Sequence, residues 1–150
     1  MIVRAVLDAA AFDHLDAPSG RALRGLLRRT VERGGEVCCA AVTLAEVCRG
    51  VARTRRVEVA LARDRGGQRI QVVPTEERLA NLVGTILHTT ASGNDLMANA
   101  HVVAVCAGAD AAIVITSDPT DILALAVAVP GTRIVTRTPA LEAPRETREG

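Results

Sequence analysis

Residues 113–125 read IVITSDPTDILAL, and this stretch decides the fold. Its first half is a short β-branched apolar run, the pattern of a strand buried on both faces. Thr116, Ser117 and Asp118 interrupt it, and Pro119 opens a helix whose fixed φ suits a first helical position. A strand running straight into a helix is half of a β-α-β unit, whose sheet is parallel and covered by helices on both faces. Asp118 then falls at the carboxyl edge of its strand, and Asp121 lies in the first turn of the helix. In open parallel sheets such edges converge on one crevice.

Working outward, the same alternation repeats. Apolar runs predict strands at 2–7, 37–40, 69–73, 112–115 and 133–136. Pro18 and Ser19 announce a helix with Leu23, Leu26, Leu27 and Val31 at helical spacing, ended by Gly34-Gly35. Thr43 and Glu46 stand three residues apart, the spacing of a capping box. The helix they open is expected to continue through an Arg-rich stretch to Gly66-Gly67. Pro74 and Thr75 open a helix with Leu79, Leu82, Val83, Ile86 and Leu87 on one side. The segment 91–95 restarts the chain into a helix over 96–108. These elements predict an α/β, three-layer α/β/α domain with a parallel sheet of about five strands, occupying 1–137, and a flexible tail over 138–150.

Composition narrows the function. The chain has 150 residues and 49% hydrophobic residues, but Phe12 is its one aromatic ring, so the core is aliphatic and base stacking on aromatic platforms is excluded. All 18 basic residues are Arg. Arg49, Arg53, Arg55, Arg56, Arg63, Arg65 and Arg69 crowd one stretch in which only Glu58 and Asp64 oppose them, a pattern suited to phosphate contact. Arg49, Arg53, Arg55 and Arg56 are the expected contacts to a phosphate backbone. Cys38, Cys39, Cys48 and Cys106 show no zinc spacing and fit buried free thiols in a reducing compartment. No signal pattern or membrane-length apolar run occurs, so a cytoplasmic protein is expected.

Several acidic positions recur at strand edges: Asp8 after the first strand, Glu46 after the second, Asp95 before the fourth long helix, and Asp118. Each has a plain structural reading as a helix cap. Together, with no Lys nearby, they repel one another unless a cation neutralises them, and oxygen ligands suit Mg²⁺ or Mn²⁺. A phosphate-accepting signalling or phosphatase domain also clusters acids at strand ends, but usually beside a lysine, which is lacking here. No Gly-x-Gly-x-x-Gly follows the first strand, which speaks against a dinucleotide site.

Four blocks, VLDAAAF, VTLAEVCRG, NAHVVAVCAG and IVITSDPTDILAL, resemble the PIN-domain ribonucleases, in particular the VapC-type toxins of toxin–antitoxin pairs. The resemblance covers nearly the whole chain. It implies a Mg²⁺ or Mn²⁺ site, endonucleolytic RNA cleavage leaving a 5′-phosphate, homodimers, and inhibition by a small VapB-like antitoxin. It implies catalytic roles for Asp8, Glu46, Asn99 and Asp118, and metal contacts from Asp8, Asn99, Asp118, Asp95 and Asp121. Thr116 is expected to bond a carboxylate or the attacking water, unless backbone satisfies its hydroxyl. Two departures stand out. Ala10 occupies a position that often carries a small polar residue, and Asn99 stands where an Asp is expected. Asn offers a neutral oxygen and no charge. Asp95 takes its place only if the helix already includes it. The alternative reading is a PIN-like binder of RNA or antitoxin with weakened or lost cleavage.

Overall fold

The computed structural model describes residues 1–140; of the expected tail, 141–150 lie outside the described residues. Strand β1 (Val3–Leu7) leads to helix α1 (Ala9–His14), a 3-10 turn (Pro18–Gly20) and helix α2 (Arg21–Glu32). Strand β2 (Glu36–Ala40) is followed by α3 (Ala41–Val47) and α4 (Val51–Ala62), then β3 (Gln71–Val73) and α5 (Glu77–Thr89). A 3-10 turn (Asn94–Leu96) precedes α6 (Met97–Cys106), and β4 (Ala111–Ile115), α7 (Pro119–Ala126) and β5 (Arg133–Arg137) complete the fold.

The five strands form one parallel sheet in the order β3-β2-β1-β4-β5. Successive connections run one way from β1 through β2 to β3, and then return to the other side of β1. The switch point therefore lies between β1 and β4, where a crevice opens at the carboxyl edges.

Alternation along the strands divides the core in two. Val6, Cys38, Ala40, Ala112 and Val114 face α5, α6 and α7, while Ala5, Leu7, Val37, Cys39 and Ile115 face α2 and part of α4. Helix α6 is buried at every residue from Ala100 to Cys106, as its continuous apolar sequence requires. Four cysteines are free, and burial pushes the Cys38 thiol up to about 11 and Cys39 and Cys106 up to about 12. Thiols held protonated in this way are inert.

Two sequence expectations fail here. Thr43 is not a helix cap: Ala40 occupies that position, and Thr43 lies fully buried inside α3 with its Oγ1 unpaired. The capping box with Glu46 therefore does not form, and Glu46 sits in the last turn of α3. The helix also stops at Val47 rather than running on to Gly66. Gly50, at φ 84°, takes a conformation that other residues rarely adopt, and the chain restarts as α4.

Candidate active site

Each acidic position owes its place to a strand end. Asp8 follows β1 and is 6% exposed. Its backbone N–H donates to the Ile115 carbonyl at 2.9 Å, which extends the β1–β4 pairing one residue beyond the strand. The carboxylate is divided between two tasks. Oδ1 accepts from the Ala9 N–H at 2.8 Å and so caps α1, while Oδ2 accepts from the Thr116 hydroxyl at 2.7 Å.

Thr116 is the link between the two strand ends. It is fully buried, and its Oγ1 also accepts from the Asp118 backbone N–H at 2.9 Å. One hydroxyl thus ties the Asp8 carboxylate to the backbone of Asp118 across the switch point. Of the roles open to Thr116, the carboxylate bond and a backbone bond both form. Asp118 occupies the N-cap position of α7 but makes no capping hydrogen bond; its carboxylate is exposed and unspent. Asp121 follows in the first turn of α7, half-buried.

Glu46 reaches the same crevice from α3, which packs against both α1 and α6. Partial burial of its carboxyl raises its pKa, the charges of Asp8 and Asp118 push the same way, and Arg49 opposes them. Three carboxylates from three elements therefore share one negative region. Among the described residues, no three His, Cys, Asp or Glu side chains are grouped closely enough to hold a metal ion by themselves.

The start of α6 separates Asn99 from Asp95. The helix begins at Met97, so Asn99 lies in its first turn, half-buried, and Asp95 belongs to the preceding 3-10 turn. Asp95 is exposed, and its Oδ1 folds back over Gly93, 2.9 Å from where a Cβ on that glycine would sit. The helix thus does not put Asp95 and Asn99 on one continuous face. His101, buried in α6, donates from Nδ1 to the Met97 carbonyl at 2.8 Å, and His14 pairs with Ser19 at 2.9 Å. Both are spent structurally.

The Arg-rich stretch is less free than its sequence suggests. Asp13 and Asp16, close to the end of α1, pair with Arg53 and Arg63, both at 2.8 Å. Glu58 and Asp64 are therefore not its only opponents. Arg65 is buried, donating to the Ala60 and Arg63 carbonyls. Arg49, Arg55, Arg56 and Arg69 stay exposed. Between α1 and α4 lies a cavity of about 230 Å³ lined by Phe12, Asp13, Asp16, Arg53, Arg56 and Val57.

A family model described as PIN domain matches residues 5–127. The chain belongs to the PIN-domain family. The match runs from within β1 to the end of α7, including all the positions above. Among solved structures, the fold is similar to a chain of the VapBC2 complex from Rickettsia felis, determined with a DNA fragment from their promoter. The TM-score is 0.60 at 14% identity, over 91% of this chain and 98% of that one. A search of curated proteins found no match.

Proposed function

We propose that this PIN domain is a metal-dependent endoribonuclease, the VapC-like toxin of a toxin–antitoxin pair. PIN domains are generally nucleases, and the observation that carries the reading is the Asp8–Thr116–Asp118 link at the β1/β4 switch point, with Glu46 under like-charge pressure beside it. The donors are all oxygens, the set that hard divalent cations take. Mg²⁺ is commonly held by one or two carboxylates together with water and substrate phosphate, so a closed cluster of three acids is not required. Asp8 and Asp118 would hold such an ion, and Asn99 would add a neutral oxygen. When bound, the ion neutralises phosphate charge and makes water a better nucleophile.

The chain's own residues do the rest. Thr116 fixes the Asp8 carboxylate by donating to it, and leaves lone pairs on both oxygens for further contacts. Asp118, free of any capping bond, keeps an exposed carboxylate at the same strand edge. Glu46, whose ionised form is disfavoured, accepts a proton more readily than an ordinary carboxylate and orients the attacking water. Asp121 supports this edge from α7. Exposed Arg49, Arg55 and Arg56 meet the RNA backbone, and Arg53 joins them when Asp13 releases it. A VapB-like antitoxin would seat a helix along α4, where Val51 and Val59 are 71% and 56% exposed. Homodimers and a cytoplasmic location belong to the same proposal; among the described residues no helix is long and apolar enough to cross a membrane.

A second reading, a PIN-like binder that no longer cuts, is favoured by one feature: Asn99 brings no charge to the first turn of α6. Labelled RNA incubated with Mg²⁺ or with EDTA separates the two. The nuclease reading expects Mg²⁺-dependent cleavage that Asp8→Asn abolishes. It expects Asn99→Asp to raise the rate at least about tenfold, equivalent to about 1.4 kcal/mol of transition-state stabilisation. RNA left intact with Mg²⁺ by wild type and Asn99→Asp alike overturns it.

A further inference from the structure

The outer side of α2 is a basic surface separate from the stretch between Arg49 and Arg69. That helix reads RALRGLLRRTVE, with Arg33 as its C-cap. Leu23, Leu27, Thr30 and Val31 bury one side against the sheet. Helical spacing sends Arg21, Arg28, Arg29 and Arg33 outward, with Glu32 as the only acid on the helix. All four arginines are exposed. The ion pairs among the described residues are Arg4–Glu36, Arg53–Asp13 and Arg63–Asp16, so none of the four takes part in one. Arg24 differs: it is half-buried and donates to the Leu15 and Ala17 carbonyls, a structural task.

Helix stability does not explain this arrangement. Arg29 and Arg33 suit the negative end of the helix dipole, but Arg21 is the first helical residue, where a cation is unfavourable and no acid compensates. Arg29 lies back along the helix in the space that Gly25 leaves; a Cβ there would stand 3.2 Å from its Nη1. A helix of 12 residues is about 18 Å long, so the four guanidinium groups line a track of that order. The track starts beyond α1, at the end of the sheet that carries Asp8. It finishes beside Met1, Val3 and Ile113 at the opposite edge of the sheet, where Arg29 and Arg33 help line a shallow cavity. Between those edges lies β1, five residues or about 16 Å.

We propose that the α2 arginines form a phosphate track for a double-helical segment of a folded RNA substrate, flanking the cleaved strand. This rests on the ribonuclease reading and adds its substrate class. Arg binds phosphate oxygens bidentately and remains charged at all physiological pH values. The surface carries no aromatic ring for stacking unpaired bases, so it reads backbone charge along a duplex rather than splayed nucleotides. The length of the track, reaching to the far edge of the sheet, calls for a substrate larger than the few nucleotides at the cleavage point.

The test measures binding in EDTA, by fluorescence anisotropy, for an RNA stem-loop of about 30 nucleotides, a single-stranded RNA of about eight, and a DNA duplex matching the stem, between 50 and 200 mM salt. Arg28→Gln/Arg29→Gln/Arg33→Gln is expected to weaken stem-loop binding at least tenfold. It is expected to lower the salt slope by about 2 to 3, from about 0.7–0.9 for each phosphate that is no longer neutralised. The eight-nucleotide RNA should change less than about twofold. Thermal melting checks the fold. If the triple variant melts abnormally, Arg28→Gln and Arg33→Gln alone should each lower the slope by about 0.7–0.9. An unchanged stem-loop slope in a folded variant overturns the track. Equal losses for both RNAs overturn its duplex character, and tighter binding of the DNA duplex overturns the RNA assignment. None of these readouts needs cleavage, so failure of the nuclease reading, seen as intact RNA with Mg²⁺, is a separate result.

Discussion

Thr116→Val removes one hydroxyl and almost no volume, and the site should register it twice. The wild-type Oγ1 is fully buried, donates to the Asp8 carboxylate at 2.7 Å and accepts from the Asp118 N–H at 2.9 Å. A hydrogen bond to a charged group contributes about 1.5–3 kcal/mol to stability. The Asp118 N–H lies near the surface, where water replaces much of its lost partner, so the total should be about 2–3 kcal/mol. For a domain of this size that is a fall in Tm of about 4–12 °C. The Asp8 carboxylate would also lose the donor that sets its orientation. Outer partners of metal-binding carboxylates typically account for about 10–100-fold in affinity or activity, so Mg²⁺-dependent cleavage should fall by that factor. Circular-dichroism melting and a cleavage time course read the two effects. Thr116→Ser keeps the hydroxyl and should recover most of both. A Val variant that melts and cleaves like wild type, or a Ser variant as impaired as Val, would refute the claim that this hydroxyl joins the two strand ends.

Two further predictions concern charge and packing. Glu46 has a raised pKa in the fold, from partial burial and from Asp8 and Asp118. Its ionised form therefore costs stability above that folded pKa, and the cost disappears as pH falls below the unfolded value of about 4.3. Glu46→Gln should accordingly raise Tm near pH 7.5 in EDTA, lose that advantage below about pH 4, and gain less than wild type on adding Mg²⁺; a variant less stable than wild type at pH 7.5 contradicts the like-charge crevice. Gly20 is buried, and a Cβ there would stand 1.7 Å from the His14 carbonyl oxygen. Gly20→Ala should cost about 3 kcal/mol or more, lowering Tm by at least about 6 °C. Gly84, inside α5 with open space around its Cβ position, should behave oppositely, with Gly84→Ala stabilising by about 0.5–1 kcal/mol. Equal melting temperatures for the two variants would show that the turn before α2 yields to the added methyl.

Local chemistry wrote the layered fold into the sequence. Short apolar runs punctuated by Gly and Pro placed all five strands, and 3.6-residue spacing placed α2 and α5, because burial selects residues at positions close to them in the chain. Only the folded state decided which polar groups meet. Thr43 and Glu46 have the spacing of a cap, yet β2 runs straight into α3 at Ala41 and buries Thr43 in the helix interior. Arg53 and Arg63 looked unopposed because Asp13 and Asp16, their partners, lie 40 and 47 residues away. The α2 arginines were present in the sequence too, but only the folded state shows that the ion pairs among the described residues are made by other arginines. Asp8, Glu46 and Asp118 were legible as strand-edge acids. That one buried hydroxyl, 108 residues along the chain from Asp8, ties the first to the third is a property of the β1–β4 pairing, which short-range sequence patterns do not encode.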